Sequence, residues 1–233
     1  MSFSATPVVS LDTPMMDMPP YRLSGTVYGT LLNHRSALAA LGATVNLPPY
    51  KAPPKAPVLY IKPRNTLAVD GDAVMVPAGV TELEVGASLG VVISRTACHV
   101  AAEHALDHVA GYVIVNDISV PHPDYYRPSV RYKARDGFCP LSSVVARDAI
   151  KNPDALTIRI YIDDVLVQTV STADLVRPIA QLLVDVTDFM TLMPGDVLAV
   201  GVAAPAPRVR AGQRVTIKID GVGALHNHFV GVA

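Results

Sequence analysis

Only two of the 233 residues are cysteine, Cys98 and Cys139, too few for a disulfide framework and without the neighbours of a metal cluster. A reducing, cytoplasmic home is the expectation. Charge is scarce as well. Charged residues make up 17% of the chain, and 19 basic against 20 acidic side chains leave a formal net charge of -1. That balance removes any bulk electrostatic drive toward nucleic acid or an anionic membrane and favours small-molecule or protein partners. Long apolar runs are also missing. A bilayer crossing takes about 20 predominantly apolar residues, and the apolar stretches here are broken sooner by charge, Gly or Pro. Residues 1–20 lack the basic start and continuous apolar segment that export requires, and their mixture of Ser, Thr, Met and Pro reads as a flexible N-terminal extension.

What is present is apolar and rich in proline. Hydrophobic residues make up 50% of the chain, enough to bury a substantial core in a single domain over residues 21–233. The 20 prolines are spread along the sequence, with a local concentration of five at 47–57. Fixed φ angles and missing amide donors make that stretch a stiff connecting loop.

Folding is expected to start with a strand within 22–32 and a brief helix at 37–41. Residues 58–61, 89–94, 111–119, 156–162 and 165–170 are rich in Val, Ile, Leu and Tyr and predict strands, with Asp163 and Asp164 turning the chain between the last two. Val176, Ile179, Leu182, Leu183, Val186, Phe189 and Met190 recur at helical spacing, with Pro178 suited to the first turn and Pro194-Gly195 ending the segment. Short strands follow at 196–200, 214–220 and 224–230. Many strands and few helices, without regular βαβ alternation, predict an α+β, mostly β architecture.

The stretch 111–140 carries the most chemistry. An apolar strand ends in Asn116-Asp117, and Arg127, Arg131, Lys133 and Arg135 follow within twenty positions. If the chain is extended there, Arg131, Lys133 and Arg135 share one face at about 6 to 7 Å spacing. Such a face would attract a polyanionic small molecule, whereas a solvated, charged edge strand is the competing reading. Asp117 either ligates a cation or caps the turn after its strand. Lys133 either meets a substrate carboxylate or carbonyl, or pairs with Asp136 or Asp124. His99, His104 and His108 fall on a helical surface without a second cluster, and His226 and His228 alternate on a C-terminal strand.

The strand ending in Asn116-Asp117 and the block from Lys133 through Asp136 and Phe138 to Pro140 resemble the fumarylacetoacetate hydrolase superfamily. The resemblance continues through Ser171-Thr172-Ala173-Asp174-Leu175, Phe189 to Asp196, and Gly221 to Asn227. Asn33-His34-Arg35-Ser36, the Pro49 to Lys55 segment and Ile61-Lys62-Pro63-Arg64-Asn65-Thr66 are similar to the N-terminal half, or separate N-terminal subunit, of its isomerase/decarboxylase branch in 4-hydroxyphenylacetate breakdown. The resemblance implies a mixed β-sandwich or roll with few helices. It also implies a divalent metal, Mg²⁺ or Mn²⁺, that chelates a 2-oxo or 2-hydroxy acid and stabilises an enolate. Carried over residue by residue, it implies Lys133 and Asp136 as catalytic groups, Tyr126, Arg127, Arg131 and Thr172 as substrate-binding groups, and Asp117 as a metal ligand.

The sequence departs from that pattern where a Glu-x-Glu pair should complete the metal site. Those two positions hold Gly86 and Ser88, and the late Thr-Gly-Thr-Pro loop reads Val200-Gly201-Val202-Ala203. The expected metal is therefore weak or absent in this chain alone. An alternative register offers Glu82 and Glu84, but four residues along a strand is about 13 Å, too far to share an ion with Asp117 without a bulge. Three functions stay open: a subunit acting on small polycarboxylates beside a metal-binding C-terminal-type subunit, a catalytically silent partner in a homo- or hetero-oligomer, and a stand-alone metal enzyme using Glu82 and Glu84.

Overall fold

The computed structural model describes residues 25–122 and 129–231. The expected extension at 1–20 and the candidate residues Tyr126 and Arg127 lie outside the described residues. In chain order the strands are β1 (Val27–Leu31), β2 (Val58–Lys62), β3 (Leu67–Val69), β4 (Ala73–Val76), β5 (Leu83–Glu84), β6 (Ala87–Ile93), β7 (Val109–Asn116) and β8 (Cys139–Leu141). They continue with β9 (Val145–Ala146), β10 (Thr157–Ile162), β11 (Val165–Ser171), β12 (Val197–Ala199), β13 (Arg208–Val209), β14 (Arg214–Ile219) and β15 (Gly223–Gly231). The α-helices are α1 (Arg35–Ala40), α2 (Val130–Lys133) and α3 (Ile179–Thr187).

A curled, eight-stranded mixed sheet has the order β2-β1-β12-β6-β7-β8-β3, with β9 also paired to β7. A five-stranded sheet, β11-β10-β14-β15-β4, packs against it, and β13-β5 forms a short ribbon. This is the mostly β architecture that the strand-rich pattern predicts.

Strand β6 is buried at all seven positions because both of its faces are covered. Leu89, Val91 and Ile93 join Ile158, Ile160, Ile217 and Leu225 between the two sheets. Val92 turns the other way and packs with Val113, Val115 and Val197 inside the curl. Each such side chain contributes about 1.5–3 kcal/mol when fully buried. Gly90 also faces that inner side, where a Cβ would come within 2.7 Å of Val113 and Val115. By contrast, β10 alternates between buried and half-buried positions and β14 between buried and more open ones, with one face of each on the core.

Helix α3 is shorter than the 176–190 periodicity suggests. It begins at Ile179, whose amide donates to Asp154 Oδ1 at 2.8 Å, and Pro178 sits at the cap in extended conformation rather than in the first turn. Leu182, Leu183 and Val186 reach the core, while Phe189 lies beyond the helix and is exposed. The segment Ala102–His108, which carries His104 and His108, is a 3₁₀ helix with His104 exposed and His108 half-buried. Among the described residues, no helix is long and apolar enough to cross a membrane.

Candidate functional site

The site forms where β7 ends. The Asp117 amide donates to Gly86 O at 2.8 Å, which continues the β6–β7 ladder by one step and turns the Asp117 carboxylate inward. Its side chain is almost fully buried. Two residues of β2, Tyr60 and Lys62, alternate along the strand and so share the face that meets it. Lys62 Nζ lies 2.9 Å from Asp117 Oδ1 and donates to the carbonyls of Ile118 at 3.2 Å and Lys133 at 2.8 Å. Lys133 Nζ reaches Asp117 Oδ2 at 2.6 Å and stands 4.9 Å above the centre of the Tyr60 ring. The Tyr60 hydroxyl donates to the same carboxylate oxygen.

Burial opposes the charged form of Asp117, but the Lys133 and Lys62 ammoniums and the hydrogen bonds from Lys133 and Tyr60 outweigh it. They hold this carboxyl well below the usual carboxylate range. Burial and the adjacent Asp117 charge push the Tyr60 hydroxyl well above its ordinary value, so it stays a proton donor. Burial draws Lys62 down, with Asp117 partly offsetting it. Nearby, burial pushes the Cys139 thiol up to about 12, which excludes a thiolate nucleophile.

Lys133 comes from α2, a single helical turn in which its amide donates to Ser129 O at 2.9 Å. The extended arrangement expected for 131–135 does not form. Within the turn Lys133 points inward, Arg131 is exposed, and Arg135 Nε donates to the Arg131 carbonyl at 3.1 Å. A cavity of about 280 Å³ opens above Asp117 and Lys133, with Thr30, Tyr60, Glu84 and Arg208 among its walls. His122 also lines it, its ring stacked on Tyr132 with centroids 4.5 Å apart. Burial raises the Glu84 carboxyl, and Arg208 Nη2 lies 3.8 Å from it.

The residues present do not fit the divalent metal that the sequence resemblance implies. Asp117 Oδ2 accepts from Lys133 and Tyr60, and Oδ1, which accepts no hydrogen bond among the described residues, faces the Lys62 ammonium at 2.9 Å. A Cβ at Gly86 would meet Asp117 O at 2.1 Å, so that position lacks the room as well as the side chain. Ser88 is fully buried, donates its hydroxyl to Leu89 O and accepts from the Gly201 amide. Glu82 is taken up by Arg210 at 2.6 Å and Arg208 at 3.6 Å, and the Glu82/Glu84 register is not the one that pairs β6 with β7. No group of three His, Cys, Asp or Glu side chains that could hold a metal occurs among the described residues. A cation placed here would also face two ammoniums, and one pair of like unit charges 4 Å apart costs about 4 kcal/mol at an effective dielectric of about 20.

Of the residues singled out from sequence, Asp117 and Lys133 meet in the cavity. Asp136 is exposed and accepts from Asn65 Nδ2 at 2.7 Å. Thr172 is buried elsewhere, where Oγ1 donates to Pro153 O and accepts from the Leu156 amide, each at 2.8 Å. Neither of them, nor Arg131, lines the cavity. Sequence reasoning assigned no role to Tyr60, Lys62 or Thr30. The Tyr-x-Lys spacing at the end of β2 is the signal for the first two.

The curled mixed sheet and the strand-end carboxylate define a class. A family model described as "Fumarylacetoacetate (FAA) hydrolase C-terminal" matches residues 26–230, and the chain belongs to this family. In sequence it is 39% identical over 208 residues to the 4-hydroxyphenylacetate degradation bifunctional isomerase/decarboxylase of Escherichia coli, covering 89% of this chain and 48% of that protein. The chain thus spans about half the length of that relative. Among solved structures it is similar to 5-carboxymethyl-2-hydroxymuconate delta-isomerase from Mycobacterium smegmatis, with a TM-score of 0.77, 26% identity, and 91% of this chain and 80% of that one covered. It also resembles maleylpyruvate hydrolase from Sphingobium sp. SYK-6 in complex with manganese(II) and pyruvate, with a TM-score of 0.73, 28% identity, and 89% and 71% covered.

Proposed function

We propose that this chain is a subunit of a 5-oxopent-3-ene-1,2,5-tricarboxylate decarboxylase and 2-hydroxyhepta-2,4-diene-1,7-dioate isomerase in aromatic catabolism. The observation that carries this reading is the 39% identity over 89% of the chain to a bifunctional enzyme of about twice the matched length. A second subunit, resembling the other half of that relative, would supply the divalent metal. This chain would supply a pocket with a surplus of positive charge, suited to substrates bearing two or three carboxylates.

In this reading Lys133 is the group that meets a substrate carboxylate or polarises a carbonyl, and Asp117 positions it. Tyr60 and Lys62 position Asp117 in turn. Co-expression with a metal-binding partner subunit, followed by a decarboxylation assay with Mg²⁺, tests the division of labour. Activity only in the pair, and lost on Lys133→Met, supports it. Full activity of this chain alone overturns it.

One observation favours a second reading, in which the chain is a silent structural partner. The charges of the Asp117 cluster pair with one another, Lys133 and Lys62 both lying against the Asp117 carboxylate and Lys62 also donating to two backbone carbonyls. Under that reading the activity of the pair survives Lys133→Met.

A further inference from the structure

We propose that His34 is a positioning residue for the cavity: in its neutral form it locks α1 to the loop 200–206 through Ser36, and its protonation unlocks that wall. The lock is a property of this chain whatever reaction the assembled pair performs.

The geometry fixes the tautomer. His34 caps α1, and its Nδ1 meets the Ser36 amide at 3.3 Å and the Ser36 hydroxyl at 2.9 Å. An amide N–H can only donate, so Nδ1 accepts and the ring is neutral with its hydrogen on Nε2. The same Ser36 hydroxyl accepts from the Ala204 amide at 2.9 Å. A hydroxyl has one proton to give and lone pairs to receive, so this one hands its proton to the ring while holding the loop.

The linked elements build one side of the cavity. Ala37 and Ala40 of α1 and Val202 to Ala206 of the loop all line it. Three other bonds anchor the loop: Asn33 Nδ2 to Val200 O at 2.7 Å, the Gly201 amide to Ser88 Oγ at 3.2 Å, and Gln168 Nε2 to Pro205 O at 2.8 Å. Asn, Ser and Gln do not titrate. Among these four anchors, the Ser36–Ala204 bond alone depends on an ionisable ring.

The surroundings keep that ring neutral until the medium turns acid. His34 is 6% exposed, and its Nε2 makes no hydrogen bond among the described residues. Burial draws it below its ordinary 6.5 and outweighs Asp174 and the Ser171 backbone, both of which favour the proton. The other neighbours add little charge. Arg35 is exposed, Arg177 is committed to Asp185 at 2.8 Å and to Lys55 O at 2.7 Å, and residues 200–207 carry no titratable side chain. Once the ring is protonated, Nδ1–H faces the Ser36 N–H, donor against donor. The α1 cap is then lost, the Ser36 hydroxyl must find another acceptor, and the Ala204 amide is freed.

The test is NMR on the full labelled chain, with amide-exchange protection factors followed from pH 7.5 to 4.5. Protection of Ala204 should fall about tenfold or more across that range, the loss of about one hydrogen bond's worth of local stability, while Val91 in the core stays constant. His34→Asn keeps an acceptor oxygen near the place of Nδ1, caps helices well and does not titrate, so it should flatten the Ala204 profile at its neutral-pH level. His34→Ala should show the low protection at every pH. The same acid loss in wild type and His34→Asn overturns the proposal. So do ring ¹⁵N shifts that place the wild-type proton on Nδ1 at pH 7.5, a reading that needs no variant to fold.

Discussion

Gly29 and Tyr60 are direct partners across the β1–β2 ladder, and the Tyr60 ring lies where a side chain at Gly29 would be. A Cβ at Gly29 would fall 2.0 Å from Tyr60 Cζ. The absent side chain is what lets the phenol lie across β1 and reach Asp117.

Gly29→Ala should therefore displace the ring and destabilise the fold by about 1–3 kcal/mol, the usual cost of overpacking. Tyr60→Phe keeps the ring and loses only the hydrogen bond to a charged acceptor, a cost of about 1.5–3 kcal/mol. Urea denaturation of both variants checks the pair. A Gly29→Ala variant as stable as wild type would refute the packing account.

Asp117→Asn should be the most damaging single change in the site. It leaves Lys62 and Lys133 buried without their counter-charge, and breaking a buried ion pair in this way costs about 3–5 kcal/mol. The pH dependence has a definite sign. Asp117 binds its proton less readily in the fold than in the unfolded chain, where the ordinary value is 3.8, so its contribution is fully present above that value. The contribution is lost as pH falls through the lower folded value. The stability gap between wild type and Asp117→Asn, measured by denaturant melts, should hold from pH 7 to 5 and narrow below about pH 4.

Glu84 behaves in the opposite sense. Burial raises its carboxyl above the ordinary 4.5, so the folded chain holds this proton more tightly than the unfolded chain does. The stabilising contribution is present at acid pH and is lost as pH rises through the folded value. Glu84→Gln should consequently gain stability relative to wild type at pH 7 compared with pH 4. Paired thermal melts at the two pH values read the difference.

Grafting the missing carboxylates should not build a metal site in this chain. Gly86→Glu brings a Cβ against the Asp117 carbonyl, and Ser88→Glu buries a new charge where a hydroxyl now joins Leu89 and Gly201. The double variant is expected to melt lower than wild type and to show no tight Mn²⁺ binding by calorimetry. A tight, stoichiometric binding isotherm would overturn the account of the closed site.

Thr172→Val should cost stability without touching the cavity. Its hydroxyl ties Pro153 to Leu156, and leaving those buried backbone groups unsatisfied costs about 1–3 kcal/mol. Urea unfolding reads that loss, and unchanged activity of the paired complex reads an intact cavity.

Most of the sheet was legible because its strands are long enough for composition and period to speak. Thr157–Ile162 alternates cleanly, and Val109–Asn116 contains the continuous aromatic and β-branched run Tyr112-Val113-Ile114-Val115. The short strands β3, β5, β8, β9 and β13 have two or three residues each, and their pairing comes from tertiary context rather than from their own sequence. The same limit hid the turn at Val130–Lys133. Four residues cannot display a helical period, so the cations at 131, 133 and 135 read as an alternating strand. Asp117 and Lys133 stood out through the Asn-Asp strand end and the block that follows. Lys62 and Tyr60 did not, because their partner lies more than fifty residues away and only the fold brings β2 beside the end of β7.

The ion that balances Asp117 is carried on the end of a side chain, so it cannot be dialysed away. Purification in chelating buffer should leave the melting profile of this polypeptide unaltered, and cellular swings in free magnesium should pass it by. Any sensitivity to chelators in an assembled enzyme would then have to originate in its companion subunit.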